Sequence, residues 1–96
     1  MLEGKTVAVV VPAYDEEELV ATTIRGIPDF VDRIIVVDDA SRDGTADAAR
    51  AADDARVEVV KHERNAGVGA AIVTGYRRAV AEGLDVVCVI DRKSVV

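Results

Sequence analysis

The stretch Ile34-Ile35-Val36-Val37-Asp38-Asp39-Ala40-Ser41-Arg42-Asp43-Gly44-Thr45 decides the fold. Four apolar β-branched residues run straight into two carboxylates, and a Ser/Asp/Gly/Thr cluster precedes an alanine-rich segment. A short apolar run of this kind predicts a buried strand, and the cluster predicts a turn into a helix. Acids at the carboxyl end of a buried strand stand where open α/β sheets take their ligands.

Working outward, the same unit recurs on both sides. Upstream, residues 6–11 form a first strand rich in Val and ended by Pro12. Asp15 is the expected N-cap of the helix that follows, with Glu18 as its capping-box partner. Leu19, Val20, Ile24 and Ile27 share one face of that helix, and Gly26 and Pro28 mark its exit. Downstream of the central strand, Asp43 or Thr45 caps a helix whose inner face is the methyl groups of Ala46, Ala48, Ala49 and Ala52. Residues 56–61 give a third strand, His62 to Gly69 a loop, and a longer helix runs to about Glu82. Its expected apolar stripe is Ile72, Val73, Tyr76, Ala79 and Val80. Gly83 stops it, and residues 86–90 form a fourth buried strand ending at Asp91. Strands alternating with helical crossovers predict an α/β fold: a three-layer, Rossmann-like parallel sheet in the order βαβαβαβ.

A chain of 96 residues holds one domain with a modest core. Half of it is hydrophobic but only 3% is aromatic, so the core is built from Val, Ile, Leu and Ala. The net charge of −6 argues against nucleic acid as a partner. Cys88, the one cysteine, sits in an apolar run and reads as a small buried hydrophobe, with no disulfide or cysteine metal site implied. No run approaches the ~18 apolar residues of a membrane span, and Glu3 and Lys5 interrupt any signal peptide. The expectation is a cytoplasmic protein without a membrane segment. Residues 1–91 read as the domain. Residues 92–96 leave the pattern abruptly and read as a truncation or sequence artefact, the alternative being a natural small domain with a frayed end.

Every polar cluster follows a strand, so the clusters share one edge of a parallel sheet. They are Tyr14-Asp15-Glu16, Asp38-Asp39, His62 to Gly69, and Asp91. Asp38 and Asp39 point to opposite faces if the strand continues. Asp39 is the expected ligand residue, and Asp38 the anchor of a turn. Gly67-Val68-Gly69-Ala70-Ala71 opens a helix whose N–H groups suit an anion, although Ile72 breaks the G-x-G-x-x-G pattern and a tight turn with close packing explains the glycines equally. His62 has no metal-ligand partner at helical spacing and reads as a loop residue.

Three segments together carry a resemblance: Val10-Val11-Pro12-Ala13-Tyr14-Asp15-Glu16-Glu17, Val36 to Thr45, and Asn65-Ala66-Gly67-Val68-Gly69-Ala70-Ala71. In order and spacing they resemble the N-terminal half of family 2 glycosyltransferases, nearest the branch of dolichyl- and polyprenyl-phosphate sugar synthases. The resemblance implies the N-terminal half of a GT-A fold and an inverting transfer of sugar from a UDP- or GDP-linked donor to an acceptor such as a polyprenyl phosphate. It implies that Pro12, Ala13, Tyr14, Asp15 and Glu16 line the nucleotide pocket and that Asp39 bonds the base. Gly67, Gly69 and Ala70 would lie near the ribose and diphosphate. A divalent cation, Mg²⁺ or Mn²⁺, is implied for the full-length enzyme, with membrane association on the cytoplasmic face.

Two departures stand out. Asp15 occupies a position where the family usually has Asn. At the fourth strand the family has Asp-x-Asp, the metal-binding acids; Asp91 matches the first, but Lys93 stands at the second and would repel a metal. No catalytic base is identified, since the family places it downstream, so the expectation for these residues alone is donor binding without transfer. Two alternatives remain open. One is a non-catalytic nucleotide-binding module that self-associates through an uncovered sheet flank. The other is a receiver-like domain with Asp91 as phosphoacceptor, although receivers normally close their first strand with the acid pair.

Overall fold

The computed structural model describes residues 1–90. The elements run β1 (Val7–Ala13), α1 (Val20–Arg25), β2 (Arg33–Asp38), α2 (Thr45–Ala51), β3 (Val57–Lys61), α3 (Val68–Ala81) and β4 (Val86–Val89). All strands pair in parallel in the order β3-β2-β1-β4. The chain builds outward from β1 to β3, then crosses back to place β4 on the far side of β1. That reversal makes the β1/β4 boundary a topological switch point, with the ligand edge at the carboxyl ends of the strands.

Strand alternation divides the core. Val7, Val9 and Val11 of β1 and Ile34 and Val36 of β2 bury against Val20, Ile24 and Ala49 of α1 and α2. Ala8, Val10, Ile35 and Val37 face Ala71 and Ala79 of α3. Both faces of β1 and β2 are thus covered, which is why these strands read as unbroken apolar runs. The opposite, amino-terminal edge is pinned by acids. Asp32 accepts the Val7 N–H at 2.7 Å, and Asp85 accepts the Thr6 N–H and hydroxyl, each at 2.9 Å.

Several local expectations need correction. Pro12 does not end β1; it is paired opposite Val37. The carbonyls of Val7 and Ala13 accept from β2-side amides, whereas those of Thr6 and Val10 accept from Val86 and Ile90. Even-numbered residues of β1 therefore face β4, whose last paired residue, Val89, lies opposite Val10. Among the described residues the missing N–H of Pro12 falls beyond that ladder.

The apolar stripe of α3 is also rotated. Ala71, Gly75 and Ala79 are its buried residues, while Val73 and Tyr76 are exposed and Val80 is 71% exposed. Small residues let the helix axis approach the sheet, and the larger apolar side chains are turned outward. β4 is an edge strand, not a buried one. Val86 and Cys88 are exposed, so Cys88 is no core residue. Among the described residues nothing covers that flank.

Candidate functional site

The loops leaving β1, β2 and β3 meet at the carboxyl edge, and each is tied to its neighbour. The Asp39 N–H donates to the Ala13 carbonyl at 2.9 Å, and Asn65 Nδ2 donates to the Asp39 carbonyl at 3.3 Å. Consecutive amides clasp the first loop onto the second. Asp15 N–H donates to Ser41 Oγ at 2.9 Å, Glu16 N–H to Thr45 Oγ1 at 2.9 Å, and Glu17 N–H to Asp43 Oδ2 at 3.2 Å. Asp43 also receives the Thr45 N–H at 3.0 Å and the Thr45 hydroxyl. Asp38 Oδ1 accepts the Ser41 N–H at 3.0 Å, the turn-anchoring role expected of it.

Asp15 does not cap α1. That helix starts with Leu19 at its capping position and no side-chain cap. Asp15 instead adopts φ +50°, a left-handed conformation that Asp and Asn tolerate better than other side chains. Its carboxylate accepts the Arg42 N–H and Nη2–H, each at 2.8 Å, and Nε–H at 3.2 Å. The Arg42 side chain, and then its backbone N–H, hold the Asp15 carboxyl below the usual carboxylate range. The guanidinium lies 5.9 Å from the centroid of the Tyr14 ring, within cation–π range. The Asn-to-Asp departure thus has a local partner: an ionised carboxylate can take both backbone and guanidinium donors of Arg42.

Asp39 ties the loops of the candidate site together. It points to the α3 side of the sheet and is only 4% exposed. Oδ1 accepts the Ala66 N–H at 2.8 Å and meets His62 Nδ1 at 2.8 Å, while Oδ2 accepts the Gly67 N–H at 2.8 Å. Burial acts to raise its pKa, but the His62 bond and the Ala66 and Gly67 amides outweigh it, so the carboxyl is held below its ordinary value. Gly67 stands at φ +95°, ψ 164°, a conformation open in practice to glycine alone. It turns the chain so that its N–H meets Asp39 as α3 begins.

Pro12, Ala13, Tyr14, Glu16, Asp39 and Gly67 line a cleft of about 470 Å³. Asn65, Val68 and Ala71, from the third segment of the resemblance, complete its wall. Asp15, Gly69 and Ala70 stay outside the lining. Asp91, the expected metal ligand, lies outside the described residues. Among the described residues no group of three or more His, Cys, Asp or Glu could hold a metal, despite the acids of the first loop. Asp15 of the first loop and Asp43 of the second are already committed to Arg42 and to the start of α2. His62, expected to be a plain loop residue, bridges two elements: its Nε2 lies 2.7 Å from Thr74 Oγ1 on α3. No sequence signal marked it, because Asp39 and Thr74 meet it only through the fold.

Comparison with known proteins fits this geometry. The chain is 29% identical over 105 aligned residues to a UDP-N-acetylglucosamine–dolichyl-phosphate N-acetylglucosaminyltransferase of Methanococcus voltae, covering 94% of this chain and 42% of that protein. It is 38% identical over 89 residues to an undecaprenyl-phosphate mannosyltransferase of Micrococcus luteus, covering 88% and 37%. The chain therefore spans well under half the length of these relatives. Among solved structures, it matches glucosyl-3-phosphoglycerate synthase of Mycobacterium tuberculosis, solved with Mn²⁺, UDP and glucosyl-3-phosphoglycerate. The TM-score there is 0.73 at 33% identity, over 92% of this chain and 33% of the other. A mannosyltransferase of Pyrobaculum calidifontis in complex with GDP-mannose and Mn²⁺ matches with TM-score 0.71 at 31% identity, over 78% and 24%. These neighbours have the GT-A fold, and the parallel sheet described above is its N-terminal, Rossmann-like part. The family model for glycosyl transferase family 2 matches residues 8–92, and the chain belongs to that family.

Proposed function

We propose that this chain forms the donor-binding part of an inverting sugar transferase and takes a nucleoside-diphosphate sugar in the cleft beside Asp39. The carrying observation is the convergence of the three strand-end loops on one cleft at the carboxyl edge of the sheet, with a buried, ionised acid in its wall. A carboxylate offers about four acceptor positions. Three are used by His62, Ala66 and Gly67, which leaves one for a ring N–H of uracil or guanine. Tyr14 and Pro12 offer flat surfaces to the nucleoside. The first-turn N–H groups of α3 lack intrahelical partners and suit the diphosphate.

A polyprenyl phosphate is the proposed acceptor of the whole protein, since the relatives from Methanococcus and Micrococcus are named for transfer to such lipids. A bound divalent cation would offset charge on the leaving diphosphate. The described residues do not form its cage. Among the described residues no helix is long and apolar enough to cross a membrane. Action at the cytoplasmic face is part of the proposal, as is self-association through the open flank of β4. A receiver-like domain is not supported: the acid pair closes β2, after a complete strand and helix, and the family match covers the chain.

Calorimetric titration of the folded chain tests the reading. Saturable binding of UDP or GDP, with AMP inert, is the expected result. A folded chain that binds neither uracil nor guanine nucleotide overturns it.

A further inference from the structure

His62 sits where β3 releases the chain, and its N–H donates to the Asp38 carbonyl at 2.8 Å, extending the β2–β3 ladder by one bond. Its ring is 16% exposed and reaches two elements at once, Asp39 at the end of β2 and Thr74 on α3. An ionised carboxylate only accepts, so Nδ1 carries the proton toward Asp39. In the neutral ring Nε2 then accepts from the Thr74 hydroxyl. In the charged ring it donates to the same oxygen. A hydroxyl rotates to serve either role, so the bridge persists in both states of the ring.

We propose that His62 is a positioning residue for the ligand cleft: through Thr74 it fixes the Asp39 carboxylate to α3, so that the remaining acceptor of Asp39 and the Ala66–Gly67 turn are set before a ligand arrives. Ala66 and Gly67 alone hold Asp39 from a loop, whereas the imidazole holds it from the body of a 14-residue helix. Anchoring to a rigid element removes freedom that binding would otherwise have to remove. The part concerning ligand affinity rests on the nucleotide reading of the cleft; the clamp itself does not.

Titrations of UDP and GDP into the wild-type chain, His62→Ala, His62→Gln and Thr74→Val test it, beside amide exchange at Ala66 and Gly67. The nucleotide that binds the wild type is expected to bind His62→Ala and Thr74→Val about three- to tenfold more weakly. His62→Gln, whose amide can still donate to Asp39, recovers part of the loss. Exchange at Ala66 and Gly67 should accelerate in His62→Ala. A merely structural role would lower the melting temperature and leave affinity unchanged; unchanged affinity in folded His62→Ala and Thr74→Val overturns the proposal. If the wild type binds neither nucleotide, the cleft reading fails separately and exchange decides. Faster exchange at Ala66 and Gly67 then supports the clamp, and unaltered exchange overturns it.

Discussion

Gly75 of α3 lies so close to Val10 of β1 that a Cβ built on the glycine would stand 2.3 Å from Val10 Cγ1. Val10 is fully buried between its neighbours on the sheet and has no room to withdraw. The close approach seats α3 on the sheet and carries the amino end of the helix to the cleft wall. Gly75→Ala is expected to destabilise the fold by about 1–3 kcal/mol through overpacking. Gly69, in the first turn of the same helix, has nothing within 4 Å of its virtual Cβ. Gly69→Ala should be stabilising by about 0.4–1 kcal/mol, because it restricts the unfolded chain at no steric cost. Urea unfolding of the two variants checks the opposite signs.

Gly67 has equally open surroundings, yet alanine there should behave differently. Its φ of +95° is strained for any side chain whatever the space. Gly67→Ala is expected to cost about 1–3 kcal/mol. It should also loosen the amide that meets Asp39, so nucleotide affinity should fall with stability. The same denaturation and titration pair measures both.

Acid should destabilise the protein in a defined direction. The carboxyls of Asp39, Asp43, Asp54 and Asp85 are all held below the ordinary value of 3.8. Groups with lowered folded pKa values contribute stability above their unfolded value, and that stability is lost as pH falls through the folded one. The melting temperature should therefore drop steeply from about pH 4 downward. Glu58 has the opposite sign. Its hydrogen bond with Glu82, together with burial, raises its pKa above 4.5, so its ionisation works against the fold as pH rises through that raised value. Glu82→Gln should remove much of that opposing slope while keeping the acid-side loss. Thermal melts across the acid range, for both chains, give the test.

The Asp15–Arg42 pair is exposed, so its charge attraction is screened and contributes little to global stability. Backbone conformation should matter more. Asp15→Asn keeps a residue that tolerates φ +50° and should melt close to wild type, whereas the β-branched Asp15→Val should melt clearly lower. Melts repeated at high salt should narrow any gap between wild type and Asp15→Asn and leave the Asp15→Val deficit standing.

The strands were legible because β1 and β2 are buried on both faces, so Ile34 to Val37 and Val7 to Val11 carry their burial in composition. The opposite facing of Asp38 and Asp39 follows from the two-residue period of a strand. What escaped the sequence depends on distance between elements. Ala79 belongs to the expected stripe and is buried, but Ala71 and Gly75 complete that face because the helix lies close to β1; hydropathy favours the bulkier Val73, Tyr76 and Val80. Pro12 fits inside β1 because its backbone N faces the β4 side, where the pairing among the described residues ends at Val10, a matter of strand order. Asp15 looked like a cap, but Arg42, far along the chain, competes for its carboxylate. The place of Asp39 and Gly67 at the cleft wall was readable from their motifs. His62 was not, since its partners lie on β2 and α3.

The most direct test of the nucleotide cleft is a ¹H–¹⁵N correlation map of the chain titrated with UDP and with GDP. One of them is expected to shift the amides of Ala13, Tyr14, Asp39, Gly67 and Val68, with Val7, Asp54 and Glu82 at the opposite edge unmoved. No perturbation by either nucleotide, or shifts confined to the opposite edge, would contradict it.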